Sequence, residues 1–476
     1  MKKIAIVIVA IMLCTVCLTA CRKDEQKTYP AEYKKTDGTK AVVIVPGILA
    51  SGMYDAETKE PVWDPLATDD VDMLEFLGVY LEEGEEFNPL ALPSVSKIIE
   101  NEFLEVLSMA SALFSMKEGN LLDRIGCDEE GESKYDVVGV DWFDEEFDGH
   151  IRYGALNSCR QLVEGLQQLV GDEYEVVMYN YNWTQDNRKA VEGLTKLMND
   201  HNYTESILIA HSMGGLVSTG YLAASVDNRA RIDKFISIGT PFYGSFMATE
   251  IYEDPYVWKG MIDGALNNYA DTLKSLHLYD MLNDNLSKMY DELIIPTLFN
   301  MTSIYQLLPT ADLVNLAKNE GKDCFVVDGT AIPAEGLYPW YCTRNWSTTH
   351  PLCEAEEVAS YPTRTAMKTL PSYRDSLYAE TNSGKVFGAD LVDTYYIAGH
   401  GVGTVNGMVI DGEEKSSVTT LDGDGTVPLL SAARGKAEDN DHVYYVEGVA
   451  HIPLGCWWQG ELVEILTKIL TGNRAE

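Results

Sequence analysis

The feature that most constrains this chain is an apolar run that leads through a serine directly into a second apolar run. Residues 206–211 read SILIAH and residues 213–222 read MGGLVSTGYL, with Ser212 between them. The first run is short enough for a buried strand and the second has the length of a helix. Ala210 and Gly214 flank the serine where a tight turn would crowd its neighbours. The pattern therefore predicts strand, turn and helix in immediate succession.

A strand, a sharp turn at a serine and a helix form the context of a nucleophile elbow. On this interpretation Ser212 sits exposed at the tip of the turn. The alternative is an ordinary connection in which Ser212 caps the helix, since serine is a favoured N-cap residue. An acid and a base further along the chain would favour the nucleophile over the helix cap, because only a nucleophile needs them.

The start of the chain has the order of an export signal. A positive MKK is followed by the apolar run 4–13, and residues 18–21 read LTAC, which resembles a bacterial lipobox. The apolar run is too short to span a bilayer comfortably. We expect residues 1–21 to be a signal peptide and lipid-modified Cys21 to anchor an exported lipoprotein to the cell membrane. An uncleaved membrane anchor is the alternative.

Composition bounds the remaining chain. Residues 22–40 are polar and lack periodicity, which is typical of a tether. The 476 residues are 46% apolar and 23% charged, a globular composition that fits a folded domain over residues 41–476. The formal charge of -38 argues against nucleic acid as a partner, because such binding needs basic side chains. Acidity that only supports solubility is the simpler reading of this charge.

Strand-like apolar runs alternate with segments of helical spacing. Strands are predicted at residues 42–45, 136–140, 175–179, 207–210, 235–239, 393–398 and 443–446, and helices at 156–170, 191–198, 213–222 and 462–470. This alternation predicts an α/β fold with a mostly parallel central sheet and helices on both faces. Functional residues are then expected at the carboxyl ends of the strands.

Two segments are too long to be simple connections. Residues at about 52–130 and 245–390 interrupt the alternation, so we expect insertions there. The second follows the strand after Ser212 and is placed to form a cap or lid over it, with a separate structural subdomain as the alternative. Apolar residues at helical spacing near 98–114 indicate ordinary packing more than a lipid-binding face.

A serine nucleophile needs a general base and an acid that orients the base. In the hydrolase order both follow the nucleophile, the acid first. Residues 422–428 read DGDGTVP, from which we choose Asp424 as the acid, with Asp422 second. A calcium loop is excluded here because its twelfth position is Ala433 and not the required glutamate. A hairpin loop with solvated carboxylates is the remaining alternative.

Only two histidines follow Asp424 in the chain. His442 precedes the strand at 443–446, which would place it at the opposite edge of the sheet, whereas His451 follows that strand. His451 is therefore the predicted base. His211 is predicted to be structural, because neighbouring side chains on a turn diverge.

Two backbone N–H groups are predicted to form the oxyanion hole. One belongs to Met213, directly after the nucleophile, and the other to Ile48, in the turn that follows the first core strand.

Cysteines offer crosslinks but no metal site. The cysteines after residue 21 are Cys127, Cys159, Cys324, Cys342, Cys353 and Cys456. An even number in an exported chain permits disulfides, although the pairing does not follow from sequence. Cys342 and Cys353 could close a small loop. No pair has the spacing of a zinc site, and neither metal nor organic cofactor is expected.

Taken together these motifs resemble the lecithin:cholesterol acyltransferase and lysosomal phospholipase A2 family of α/β hydrolases. Residues 45–47 are similar to its oxyanion loop, 210–214 to its elbow, 239–244 to the next turn and 422–428 to its acid motif, and His451 falls where its histidine belongs. The resemblance implies an α/β hydrolase fold with long cap or lid insertions.

The resemblance also implies a lipid acyl hydrolase or O-acyltransferase. An acyl-serine formed from a phospholipid or neutral lipid ester would pass its acyl group to water or to an alcohol. One alternative is an esterase acting on soluble or cell-wall esters, and another is a nonenzymatic binding lipoprotein on a hydrolase scaffold. Lipid head group, acyl position, natural acceptor and oligomeric state do not follow from the sequence.

Overall fold

The computed structural model describes residues 40–63, 121–144, 151–155, 158–254, 294–343, 365–412, 414–438, 441–456, 458 and 460–472. The expected signal peptide with Cys21, most of the tether, the apolar segment 98–114 and the Cys342–Cys353 loop lie outside the described residues. None of the helices within these ranges combines the length and apolarity needed to cross a membrane.

Strands occur along the whole described part of the chain. They are β1 (Lys40–Val45), β2 (Met53–Asp55), β3 (Val137–Gly139), β4 (Glu175–Met178), β5 (Glu205–His211), β6 (Ile232–Ile238), β7 (Phe325–Val327), β8 (Thr330–Ala331), β9 (Tyr378–Thr381), β10 (Gly384–Phe387), β11 (Thr394–His400), β12 (Thr404–Asp411), β13 (Glu414–Thr420) and β14 (Val443–Glu447).

Helices separate most of these strands. They are α1 (Leu121–Arg124), α2 (Arg160–Val170), α3 (Asn187–Asp200), α4 (Met213–Ala224), α5 (Val226–Arg229), α6 (Phe246–Glu253), α7 (Ile295–Asn300), α8 (Thr302–Gln306), α9 (Ala311–Asn319), α10 (Ala334–Thr343), α11 (Thr365–Ser376), α12 (Leu429–Ala432), α13 (His451–Cys456) and α14 (Gly460–Thr471).

A six-stranded parallel sheet forms the centre of the fold, in the order β14-β11-β6-β5-β1-β4. The strands β1 and β5 are neighbouring inner strands of this sheet and are buried along nearly their whole length, as their continuous apolar sequences require. The predicted α/β hydrolase fold is confirmed by this sheet and the helices that flank it. Its carboxyl edge brings together the ends of β1, β5, β11 and β14.

The strand predicted at residues 136–140 is not part of the central sheet. Its core, β3, pairs antiparallel with the short β2 in a separate two-stranded sheet. The backbone partners of β3 are therefore supplied by β2 and not by a strand of the central sheet. The helix predicted from residue 156 begins at Arg160, after Cys159 at the N-cap position.

The helix α4 is buried on every side, and two glycines make this possible. A Cβ on Gly214 would lie 2.2 Å from the backbone oxygen of Val45, and one on Gly215 would lie 1.9 Å from Oγ1 of Thr240. Both distances are far below van der Waals contact. Glycine therefore lets the start of α4 approach the end of β1 and the turn after β6, which fixes the position of the residue that precedes the helix.

Candidate active site

Ser212 occupies a strained turn between β5 and α4. Its φ of 54° and ψ of -129° lie outside the regions that residues with a side chain favour. The Ser212 amide donates to Ile238 at 2.9 Å, which ties the turn to the end of β6. The side chain makes no cap hydrogen bond to α4. The strain thus orients the hydroxyl, as in a nucleophile elbow, and the capping alternative is not seen.

The expectation that Ser212 is exposed at the tip of its turn is wrong. The residue is only 5% exposed. It lies on the wall of an apolar cavity, beneath side chains that come from outside the central sheet. Substrate must therefore enter this cavity to reach the hydroxyl.

Ser212, His451 and Asp424 form a continuous hydrogen-bonded chain. The Nε2 atom of His451 lies 2.8 Å from Oγ of Ser212, and its Nδ1 atom lies 2.7 Å from Oδ2 of Asp424. All three side chains are buried. With Nδ1–H donating its hydrogen bond to the carboxylate, the proton stays on Nδ1 and the lone pair of Nε2 is directed at the serine hydroxyl. This arrangement can remove a proton from Ser212.

The loop around Asp424 holds its carboxylate in place. Oδ1 accepts hydrogen bonds from the backbone amides of Thr426 at 3.0 Å and Val427 at 2.8 Å. The Asp424 carbonyl oxygen in turn accepts a 2.9 Å hydrogen bond from the amide of His451. Hydrogen bonds from two backbone amides to one oxygen restrict the rotation of the carboxylate.

The second-choice acid and the other histidine lie elsewhere. Asp422 is about half exposed, with Oδ2 3.0 Å from Nζ of Lys322. His442 precedes β14, and its Nε2 atom lies 2.9 Å from Oδ1 of Asp393, which precedes β11. This places His442 at the amino edge of the sheet, opposite Ser212.

The side chain of His211 contacts His451, the candidate base. Its Nε2 atom hydrogen bonds with the carbonyl oxygen of His451 at 3.0 Å, and the two ring centres are 4.7 Å apart. Burial is the largest cause that lowers the pKa of His211 well below its ordinary value, so the ring is neutral at pH 7. A structural role fits these contacts, but the contact with His451 could not be read from sequence.

The loop after β1 passes directly over the serine. A Cβ on Gly47 would lie 2.7 Å from Cβ of Ser212 and 3.2 Å from its Oγ. The predicted oxyanion donors, the amides of Ile48 and Met213, therefore belong to the two segments that meet beside Ser212. Their function as donors stays a prediction.

Two aromatic side chains that no sequence motif had indicated anchor this loop. The hydroxyl of Tyr181 donates to the carbonyl oxygen of Pro46 at 2.8 Å, and Nε1 of Trp63 donates to that of Leu49 at 2.7 Å. Both side chains are almost fully buried. The Tyr181 contact spans 135 positions of the chain, whereas Trp63 and Leu49 are 14 positions apart. Together they hold the loop in place.

The cavity beside Ser212 has a volume of about 210 Å³ and an almost wholly apolar lining. Its lining includes Leu49, Trp63, Ile125, Met247, Ile251 and Leu298. Such a lining suits an apolar ligand, and Ser212 and His451 form a polar part of the cavity wall.

No group of three or more potential metal-binding side chains occurs among the residues that the structure describes.

The parallel sheet, with a strained serine turn after one of its central strands, defines the protein as one of the α/β hydrolase class. The order of its strands and the position of the turn at the carboxyl edge of the sheet are the features that set this class apart from other α/β folds.

The family model described as lecithin:cholesterol acyltransferase matches residues 175–449, more than half of the chain. The protein belongs to the lecithin:cholesterol acyltransferase family. Membership supports an enzyme that hydrolyses or transfers acyl groups of lipids, which agrees with the resemblance carried by the sequence motifs.

Other comparisons show only distant similarity. A chain in the structure titled "The crystal structure of Tle4-Tli4 complex" aligns over 93% of this chain and 100% of its own, with 13% identity and a TM-score of 0.46. Similarity at this level adds nothing to the functional assignment. No curated protein matches the chain.

Proposed function

We propose that the protein is a serine-dependent lipid acyl hydrolase or O-acyltransferase in which Ser212 is the nucleophile, His451 the general base and acid, and Asp424 the residue that orients His451. The observation that carries this proposal is the unbroken hydrogen-bonded chain of these side chains at the wall of an apolar cavity. Family membership supplies the class of reaction.

In the first half-reaction His451 takes the proton of Ser212 through Nε2 while Oγ attacks the carbonyl carbon of a lipid ester. The negative charge that develops on the carbonyl oxygen is stabilised by the amides of Ile48 and Met213. His451 then returns the proton to the departing alcohol, and the acyl group remains on Ser212.

In the second half-reaction His451 activates the acceptor that attacks the acyl-serine. Water gives a free fatty acid, and a lipid alcohol gives a new ester. The buried carboxylate of Asp424 stabilises the imidazolium that forms in both halves, because it accepts the Nδ1–H hydrogen bond at 2.7 Å.

The cavity supports a long-chain acyl group as the part of the substrate that is bound. Each methylene moved from water into an apolar environment contributes about 0.8 kcal/mol. An aliphatic chain therefore gains binding energy from this lining, whereas a small polar acyl group does not. The apolar lining therefore favours lipid esters over soluble or cell-wall esters as substrates.

Residues from both predicted insertions support a cap over Ser212. Trp63 and Ile125 come from the segment at about 52–130, and Met247, Ile251 and Leu298 from the segment at about 245–390, and all five line the cavity. The two insertions thus form the acyl pocket of a single domain that begins near residue 41.

An exported lipoprotein anchored through Cys21 would work at the surface of its substrate. This part of the proposal depends on the sequence alone. Metabolic labelling with a clickable fatty acid tests it, because Cys21→Ser should remove the label and release the protein from the membrane fraction. Equal labelling of both proteins would contradict lipidation at Cys21.

The reaction is tested with the full chain added to phospholipid vesicles with or without a lipophilic alcohol, followed by mass spectrometry of the lipids. Ser212→Ala is the control. Ser212-dependent fatty acid establishes hydrolysis, and Ser212-dependent new ester establishes transfer. Turnover of short soluble esters without any lipid turnover would instead favour a soluble or cell-wall substrate.

A further inference from the structure

Two buried cysteines meet beside the candidate active site. The Sγ atoms of Cys159 and Cys456 lie 3.9 Å apart, although the residues are 297 positions apart in the chain. Neither sulfur is in a disulfide bond, and the two residues are only 1% and 2% exposed. Cys159 stands at the N-cap of α2, and Cys456 is the last residue of α13.

The helix α13 connects this pair to the candidate base. His451 is the first and Cys456 the last residue of this six-residue helix, so the hydrogen-bonded imidazole and the thiol lie at its two ends. The helix also packs tightly against His211, since a Cβ on Gly455 would lie 1.9 Å from Cδ2 of that ring. Whatever holds Cys456 in place therefore also restrains the position of His451.

The pair differs from the other buried cysteines of the described chain. Burial raises the pKa of Cys127 and of Cys324 to about 11, as expected for an unreactive core thiol. The pKa of Cys159 is instead lowered, because its hydrogen bond with Cys456 outweighs the effect of burial. Thiolate character at Cys159 favours exchange with a disulfide at the neighbouring sulfur.

Access from the cavity distinguishes the two cysteines from each other. Cys456 lines the cavity beside Ser212, together with His211 and Ser158. A small molecule that enters the cavity therefore reaches Cys456 first. Cys159 does not line the cavity, but its Sγ atom lies 3.9 Å from that of Cys456. It can therefore react with a mixed disulfide formed on Cys456.

We propose that Cys159 and Cys456 form a disulfide bond that fastens the helix carrying His451 to the start of α2. The oxidant is a low-molecular-weight disulfide such as oxidised glutathione. The Cys456 thiolate attacks one of its sulfurs and releases one glutathione thiol. The Cys159 thiolate then attacks Sγ of Cys456, forms the protein disulfide and releases the second. Two protons and two electrons leave the protein, and the oxidant becomes two thiols.

The distance to be closed is small. A disulfide joins its sulfurs at about 2.05 Å, so the two Sγ atoms must approach by roughly 1.9 Å, which rotation about the Cα–Cβ bonds can provide. The bond would close a loop of nearly 300 residues, and long loops give the largest reduction of unfolded-chain entropy.

The test uses the full chain in detergent, equilibrated in reduced or oxidised glutathione. The protein is then denatured in acid and its free thiols are blocked with a light alkylating reagent in denaturant, so that buried thiols also react. Disulfides are next reduced, and the released thiols receive a heavy reagent. In the oxidised sample we expect the heavy label on Cys159 and Cys456 together, a peptide linking them in the unreduced digest, and a Tm higher by about 2–6 °C than in the reduced sample.

Matched variants separate this bond from others. Cys324→Ser removes a buried cysteine away from the pair and should leave the linked peptide intact, whereas Cys159→Ser should abolish both the linked peptide and the Tm shift. The peptides also distinguish the bond from one between Cys342 and Cys353.

Light label on Cys159 and Cys456 in the oxidised wild-type protein would overturn the proposal, as would a stable glutathione adduct on Cys456 with Cys159 still reduced. Neither readout needs a substrate, so the result is independent of the proposed activity, and the comparison of oxidised with reduced wild-type protein does not depend on any variant.

Discussion

Asp424 and His451 meet through a 2.7 Å contact between Oδ2 and Nδ1, while two backbone amides occupy the other carboxylate oxygen. The carboxylate has no freedom to rotate away, so the imidazole keeps one tautomer. The same loop contains Asp422, which is turned toward Lys322 and solvent. Two carboxylates separated by one residue therefore have different surroundings, and this difference can be tested.

Asp424→Asn should lower kcat by about 10⁴-fold, because an amide in place of the carboxylate favours the wrong imidazole tautomer. Asp422→Asn should change kcat by less than about threefold, since it loses only a half-exposed ion pair. Steady-state hydrolysis of a dispersed phospholipid measures both variants. A larger loss from Asp422→Asn would mean that the wrong carboxylate has been assigned.

Gly47→Ala tests the close approach of the loop after β1 to Ser212. The added methyl would lie 2.7 Å from Cβ of Ser212, so the loop must shift and its amide donors with it. Loss of one oxyanion donor costs about 10²-fold to 10³-fold in kcat, and we expect a loss of that order. Gly403→Ala is the control, because its nearest contact would be an ordinary 3.5 Å. Equal activity of the two variants would show that the position of this loop does not affect catalysis.

Tyr181→Phe removes one hydroxyl that anchors the same loop. The carbonyl oxygen of Pro46 then loses a 2.8 Å hydrogen bond in a buried environment. We expect the free energy of unfolding to fall by about 1–3 kcal/mol and kcat to fall by roughly tenfold with KM little changed. Denaturant unfolding and initial rates give the two numbers. A loss of stability with unchanged kcat would make Tyr181 purely structural.

His211 should make the protein less stable in mild acid. Burial holds its folded-state pKa well below the value of about 6.5 in an unfolded chain. Below that pH the unfolded chain binds a proton that the folded protein does not, so the free energy of unfolding falls as pH falls, by up to about 1.4 kcal/mol per pH unit. The contribution is fully present above the unfolded pKa and is lost toward the folded pKa.

The comparison that isolates this effect is His211→Gln against the wild-type protein, with the free energy of unfolding measured at several pH values between 7.5 and 5. The wild-type curve should fall more steeply than the curve of the variant, whatever their difference at pH 7.5. Parallel curves would show that His211 does not titrate on unfolding.

The central part of the fold could be predicted because its signals are local. Continuous apolar runs such as 42–45 specify strands buried on both faces, and small residues around Ser212 specify a tight turn. The order of acid and histidine along the chain also singled out the side chains that meet at Ser212. What escaped prediction depends on contacts between distant segments. The strand β3 has the same kind of apolar sequence as a central strand, and only its pairing with β2 removes it from the sheet.

Burial of Ser212 escaped prediction for the same reason. A turn at a sheet edge is exposed unless other segments of the chain cover it. The segments that cover Ser212 lie far from residues 206–222 in the sequence, so the local pattern does not indicate them. The contact of Tyr181 with Pro46 and that of Cys159 with Cys456 likewise join residues more than a hundred positions apart.

The most direct test of the account is to find where the acyl group resides during turnover. The full chain is mixed briefly with vesicles of a phospholipid that carries an isotopically labelled acyl chain, quenched in acid, digested and analysed by mass spectrometry. We expect the labelled acyl group on the peptide that contains Ser212 in the wild-type protein, and none on that peptide in Ser212→Ala. Labelled acyl on a different residue, or undiminished lipid turnover by Ser212→Ala, would contradict it.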